Sequence, residues 1–133
     1  PMDDGRELDV TVVGDRYFLV EGRGFLARNH SRWAQSELDR LAELHPHIDQ
    51  VLYDGTETEG GEPGRARQWI RWAAARPRPS RRIAIVTRQT SASAVASTFR
   101  FMLPRLRFAV FSTREAGAAF LNSENDAAHP PHG

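Results

Sequence analysis

The chain of 133 residues contains no cysteine, so disulfide bonds, thiolate catalysis and cysteine-ligated metal sites are excluded. It contains no lysine either, since all 18 of its basic residues are arginine. A GC-rich genome explains this usage, and a need for bidentate contacts with phosphate or carboxylate is the functional alternative. The 17 acidic residues bring the formal net charge to only +1, which argues against a dedicated nucleic-acid-binding protein because such proteins carry a concentrated positive charge.

Long apolar runs are also missing. No run approaches the roughly 20 residues that cross a bilayer, and residues 1–9 lack the apolar core of a signal peptide. We therefore expect a cytoplasmic protein. Pro1, which precedes Met2, is interpreted as a protease-cleavage scar, with residues 1–7 as a flexible lead. The remaining length is sufficient for one domain whose core needs neither a metal ion nor a disulfide bond.

Five short apolar segments predict β-strands: Leu8–Val13, Tyr17–Val20, Ile48–Asp54, Ile83–Val86 and Phe108–Phe111. The first two flank the turn signal Gly14-Asp15 and are expected to form an antiparallel hairpin. The last two are apolar at consecutive positions rather than at alternate ones, which is typical of parallel strands that are covered on both faces. Residues 22–27 and 55–61 are rich in glycine and polar residues and are interpreted as loops.

Apolar residues at helical spacing predict four helices, one after each strand from the second onward. Their predicted starts are Asn29 or Ser31, Pro63, Thr90 or Ser91, and Ser112. The last helix is expected to end at Leu121, and residues 122–133 are expected to form a disordered tail because they have no apolar pattern. The order β-β-α-β-α-β-α-β-α predicts a single α/β domain with a five-stranded mixed sheet and packed helices over residues 8–121.

The carboxyl ends of the parallel strands bring three predicted loops to one edge of the sheet, where open α/β sheets bind ligands. These loops span residues 54–62, 87–91 and 112–114. Arg88, Thr90 and Ser91 lie at a predicted helix N-terminus, whose N–H groups attract anions. Together with Asp54 and Thr56 they are the candidate ligand- or anion-binding residues. Ordinary helix capping is the alternative, and the acidic residues of the first loop would compete with an anion.

The second predicted helix carries a tryptophan outside its apolar stripe. Trp72 lies between Arg65 and Arg76 on a helical wheel, and Phe101 is displaced from the stripe of the third predicted helix. An exposed aromatic ring flanked by arginine is typical of protein interfaces and cation–π contacts. These four residues are therefore the candidate partner-binding surface. The alternative is that Trp72 packs at the edge of the neighbouring helix.

No pattern in the sequence predicts a catalytic, metal or cofactor site, and we predict that the protein is not an enzyme. Gly22-x-Gly24 follows a strand, but the helix does not begin within this glycine turn as a dinucleotide-binding site requires. His45 and His47 are interpreted as residues of a helix end rather than as metal ligands. No serine and histidine form a recognisable nucleophile–base arrangement. The basic segment 76–82 is interpreted as a solvated linker rather than a phosphate-binding site.

A resemblance to a known family is carried by the segments Val20–Leu26, Val51–Asp54, Arg82–Val86 and Val110–Ala116, closed by Phe120-Leu121. Their order and spacing resemble the STAS domain family and, within it, the SpoIIAA-like proteins, over residues 8–121. The resemblance implies a non-enzymatic regulatory or scaffolding module in bacterial signalling. Such a module acts through a protein partner or through a homodimer.

The chain departs from the phosphoswitch members of that family, in which a serine at the start of the helix after the third strand is phosphorylated. Residues 55–68 contain no serine, and Thr56 and Thr58 carry their only hydroxyl groups. A phosphoswitch is therefore not predicted. For the looser SpoIIAA-like relatives, which also lack that serine, binding of a lipid or another small apolar ligand has been suggested. The alternative prediction is thus a lipid or small-ligand carrier with an apolar cleft beside the sheet.

Overall fold

The computed structural model describes residues 7–88 and 107–127. Its elements in chain order are β1 Leu8–Val13, β2 Tyr17–Leu26, α1 Arg28–Leu44, β3 Gln50–Gly61, α2 Arg65–Ala75, β4 Arg82–Val86, β5 Arg107–Phe111 and α3 Arg114–Ala127. The helix predicted between β4 and β5, with Thr90, Ser91 and Phe101, lies outside these ranges. Within them, no helix is long and apolar enough to cross a bilayer.

The five strands form one mixed sheet in the order β1-β2-β3-β4-β5. The pair β1–β2 is antiparallel, and every other neighbouring pair is parallel. Gly14 and Asp15 both have positive φ angles, of 52° and 55°, which is the backbone of a tight hairpin turn. The prediction of a single α/β domain with a five-stranded mixed sheet is confirmed.

The core has one layer on each face of the sheet. On one face, residues such as Val51, Ile83 and Ile85 pack with the apolar sides of α1 and α2. On the other face, Leu52, Ala84, Val86 and their neighbours pack against α3. Consecutive residues of β3 and β4 thus point to opposite buried layers, because side chains alternate along a strand. Because both faces of these strands are buried, their apolar residues are consecutive in the sequence.

The strands β2 and β3 are both longer than the sequence predicted. Residues 22–26 and 55–61 were expected to be loops, but they continue the parallel pairing as far as Leu26 and Gly61. The pairing has two register irregularities, and Gly24 and Gly60 near them have φ angles of 71° and 145°. These glycines allow backbone geometry that other residues rarely adopt, so they accommodate bulges within strands instead of marking loops.

The ends of the helices also differ from the prediction. The helix α1 begins at Arg28 rather than near Ser31, and the Nδ1 atom of His30 accepts the N–H of Ala27 at 2.9 Å. At the start of α3, the hydroxyl of Thr113, not that of Ser112, accepts the N–H of Ala116 at 3.1 Å. This helix continues to Ala127, past the predicted end of the domain at Leu121.

The basic segment 76–82 is exposed at Pro77, Arg78 and Arg81, as a solvated linker would be, but its other residues and its hydrogen bonds hold it against the domain. The guanidinium of Arg78 donates to the carbonyl oxygens of Ala42 and Pro46, at 3.0 and 2.8 Å, near the end of α1. Carbonyl groups at a helix end have no partner within the helix, and a cation satisfies them well. Ser80 is buried and donates to the carbonyl oxygen of Arg76.

Candidate functional site

An apolar cleft of about 300 Å³ lies between α2 and the sheet. Two strands and one helix supply most of its described wall: Val51, Ile83, Ile85, Trp69, Trp72 and Ala73. The strand residues share a face because they are two positions apart or paired across neighbouring strands. The helix residues share a face because they are three or four positions apart. The sequence pattern of both elements therefore builds this cleft.

Aromatic rings form one continuous part of the wall. The ring of Tyr53 meets that of Trp69 edge to face, with centroids 5.4 Å apart, and Trp69 meets Trp72 in the same way at 5.8 Å. Edge-to-face pairs at these distances are favourable because the positive edge of one ring faces the negative face of the other. The rings therefore hold one another in place beside the cleft.

A polar group lies beside this aromatic wall. The Nη2 atom of Arg65 donates to the hydroxyl of Tyr53 at 2.6 Å, and its Nε atom donates to the hydroxyl of Ser31 at 3.3 Å. The indole N–H of Trp69 donates to the same Ser31 oxygen at 3.2 Å. Burial raises the pKa of Tyr53 above its usual value, although the charge of Arg65 and its hydrogen bond act against the rise. The hydroxyl therefore stays protonated at neutral pH.

Trp72 is not the exposed residue that the sequence predicted, because only 5% of its surface is accessible. Its indole N–H donates to Asp39 of α1 at 3.0 Å. Arg76 pairs with both oxygens of the same carboxylate, and its guanidinium carbon lies 5.6 Å from the centre of the Trp72 ring. The alternative interpretation, packing against the neighbouring helix, is correct. Asp39 gives the indole an acceptor, so the ring can be buried without losing a hydrogen bond.

A second, polar pocket of about 200 Å³ lies at the carboxyl ends of the strands, on the α3 side of the sheet. The Nε atom of Arg114 donates to Asp54 at 2.9 Å, and its Nη2 atom pairs with Glu21. Both N–H and hydroxyl of Thr56 donate to the other oxygen of Asp54, at 3.0 and 2.7 Å. Arg88 donates to the carbonyl oxygen of Thr56 at 3.3 Å. Three of the five predicted ligand-binding residues therefore lie close together at this edge.

Asp54 is 7% exposed, and its ionisation is decided by opposing effects. Burial alone would raise the pKa of its carboxyl group, but the hydrogen bonds from Thr56 and Arg114 outweigh burial and lower it. The carboxylate is therefore charged at neutral pH and already has its partners. Among its described residues, the predicted anion site at this edge has the carboxylates of Glu21, Asp54 and Glu57, which would repel an anion.

Arg114 and Glu21 also lie at this edge, although neither was among the predicted site residues. Arg114 was within the predicted loop 112–114, which was expected to meet the loop containing Asp54. Glu21 follows the same rule, because it pairs with Asp54 across the parallel strands β2 and β3. Both could have been found by considering every charged residue at the carboxyl end of a strand.

The two histidines after α1 lie beside a single carboxylate. His45 and His47 are 3.9 and 3.6 Å from Asp15, whereas Asp49 pairs with Arg81 at 3.0 Å. Within residues 7–88 and 107–127, no group of three or more metal-ligating side chains could hold a metal ion.

No protein-family model matches the chain, and no curated protein matches it in sequence. A solved structure does match: an uncharacterised protein of the DUF3478 family from Shewanella loihica PV-4, described as having a SpoIIAA-like fold. The TM-score is 0.65 over 86% of this chain and 91% of that chain, with 17% sequence identity. The chain therefore has a SpoIIAA-like α/β fold, as its resemblance predicted. At this identity the likeness is one of fold.

Proposed function

We propose that this protein is a non-catalytic binding protein that carries or senses a small apolar ligand in the cleft between α2 and the sheet. The observation that carries the proposal is the cleft itself. Its volume, about 300 Å³, lies at the lower end of the range for small-molecule sites. Its described wall is mostly aliphatic and aromatic, with Arg65 and the Tyr53 hydroxyl as convergent polar groups, which is the usual composition of such sites.

The charges at the sheet edge support a non-catalytic role. A general acid or base works best when its pKa lies near the working pH. The pKa of Asp54 is lowered instead, and its carboxylate is bound to Thr56 and Arg114. Asp54 therefore resembles a structural carboxylate more than a proton-transfer group.

A blocking substitution tests the cleft. Ala66 is exposed and lines the cleft, so Ala66→Phe would place a ring at its mouth without disturbing the core. We expect this variant to lose binding of an apolar probe such as decanoate by about tenfold or more, measured by tryptophan fluorescence, since Trp69 and Trp72 line the same cleft. The matched control is Ala74→Phe, on an exposed position of the same helix that does not line the cleft.

Native mass spectrometry of protein purified from its own host gives a second test. A monomer with a few hundred daltons of extra mass supports the carrier function. A protein that never binds apolar probes, with Ala66→Phe and Ala74→Phe behaving alike, would contradict it.

A regulatory role through a protein partner or a homodimer stays a prediction. The structure does not support the predicted partner-binding surface around Trp72, because Trp72 is buried and Arg76 is bound to Asp39 within the chain. Phe101 lies outside the described residues. The same mass-spectrometry experiment tests this role, because a dimer or a bound protein without a small-molecule adduct would favour it over the carrier.

A further inference from the structure

The guanidinium of Arg65 is a charged group in a cleft whose described wall is mostly apolar. Its two hydrogen-bond partners, Tyr53 and Ser31, are neutral hydroxyl groups. Among residues 7–88 and 107–127, no carboxylate forms an ion pair with it. Arginine stays protonated in proteins, and a partly buried charge is costly without a counter-charge. The site is therefore complementary to an anionic group.

The position of Arg65 is fixed by its surroundings. Its hydrogen bonds hold Nη2 and Nε, and its Nη1 atom packs beside the backbone of Gly61. A Cβ atom on residue 61 would lie 2.7 Å from that nitrogen, so a larger residue there would displace the guanidinium from this position. A site held in this way loses little conformational freedom when a ligand binds.

The guanidinium retains donors for a ligand. Of the five N–H donors of an arginine, two are used by the hydroxyl groups of Tyr53 and Ser31 within the described part of the chain. The remaining donors suit a carboxylate, which accepts hydrogen bonds from arginine through two oxygens. The Tyr53 hydroxyl accepts from Arg65, so its own proton is available as a further donor.

The rest of the cleft is complementary to a chain of carbon atoms. Beyond Arg65 and Tyr53 its wall includes Val51, Ile83 and Ile85. A volume of about 300 Å³ holds on the order of ten water-sized groups, the size of a chain of about ten carbon atoms.

We infer that the ligand of this cleft is a single-chain fatty acid of medium length, whose carboxylate binds Arg65 and the Tyr53 hydroxyl while its tail occupies the apolar wall. This inference rests on the proposed function, because it assigns the chemical class of the ligand and the residue that recognises its head group.

The test compares two probes that differ only in the head group. Decanoate and 1-decanol are titrated into the full chain, after treatment with a hydrophobic resin to remove endogenous ligand, and binding is followed by calorimetry and tryptophan fluorescence. A hydrogen-bonded charge pair predicts that decanoate binds about tenfold or more tightly than decanol. Arg65→Gln should abolish this preference, because it weakens decanoate binding by about tenfold or more and decanol binding far less. Arg71→Gln, an exposed position on the same helix, is the matched control and should keep the preference.

The outcomes separate the inference from the proposed function. If both probes bind equally to the wild type, Arg65 does not recognise a carboxylate and the inference is overturned, although the cleft still binds apolar ligands. If neither probe binds, the proposed function fails together with the inference. Because the two-probe comparison uses the wild-type protein, it distinguishes these outcomes even if Arg65→Gln does not fold.

Discussion

Arg65 and Arg114 lie beside two cavities on opposite faces of the same sheet, and their partners differ. Arg114 binds the carboxylates of Asp54 and Glu21, so its charge is compensated within the chain. Arg65 binds only the hydroxyl groups of Tyr53 and Ser31 among the described residues. The polar pocket is therefore complete in itself, whereas the apolar cleft leaves a charge for a ligand to compensate.

Trp72→Ala should have the largest effect, because it removes a buried part of the cleft wall. Truncation of a buried tryptophan typically costs about 3–5 kcal/mol, and Asp39 would also lose the indole N–H. We expect a loss in the free energy of unfolding of that size, measured by urea denaturation. Trp72→Phe keeps most of the packing and should cost only about 1 kcal/mol. If the free energy of unfolding of Trp72→Ala lies within about 1 kcal/mol of the wild-type value, Trp72 is exposed, as the sequence predicted.

The fate of Trp72 shows what a single sequence can and cannot predict. Local patterns predict the hairpin turn at Gly14-Asp15 and the strands covered on both faces. They do so because backbone geometry and burial restrict which residue types occur at neighbouring positions. A helical wheel of α2 contains no information about Asp39, which is on another helix and makes burial of Trp72 possible.

The same limit applies to the sites. The edge of the sheet that holds Asp54 and Thr56 was predicted from the rule for parallel strands. The pairing of Asp54 with Arg114 was not, because these residues are 60 positions apart and depend on the packing of α3. The cleft was predicted only through the resemblance. The extended strands were missed because glycine and glutamate are rare in strands, and inter-strand pairing overrides that preference.

Arg114→Gln should have an intermediate effect, because it leaves two carboxylates without their shared cation. The Arg114 side chain is 42% exposed, so solvent reduces the loss to about 1–2 kcal/mol of unfolding free energy at neutral pH. The matched control is Arg40→Gln, which removes an exposed pair with Glu37 and should change stability little. Equal effects of the two variants would mean that the polar pocket is not held by its charges.

The pH dependence of this loss follows from the lowered pKa of Asp54. A carboxyl group with a lower pKa in the folded state stabilises the fold above its unfolded pKa, and this contribution is lost as the pH falls through the folded pKa. The difference between the wild type and Arg114→Gln should therefore be greatest at neutral pH and shrink in acid. A difference that stays constant between pH 7 and about pH 2 would show that Arg114 acts through packing rather than charge.

The titration of Tyr53 should show the smallest effect, and it tests the charge of Arg65 directly. Burial raises the pKa of this tyrosine, and Arg65 opposes the rise by its charge and its hydrogen bond. Arg65→Gln should therefore raise the pKa further, measured from phenolate absorbance over the pH range in which circular dichroism shows the fold intact. The chain has only one other tyrosine, so subtraction of the Tyr53→Phe titration isolates the signal.

The same titration with ligand present distinguishes the two arginines. A bound decanoate would place a negative charge next to Arg65 and raise the pKa of Tyr53, because the phenolate would lose part of the compensation that the guanidinium provides. Saturating decanol carries no charge and should leave the pKa of Tyr53 unchanged. If decanoate binds and the pKa of Tyr53 does not move, the carboxylate lies away from Arg65. The charge of Arg65 would then be as irrelevant to the ligand as that of Arg114, whose carboxylates are supplied by the chain itself.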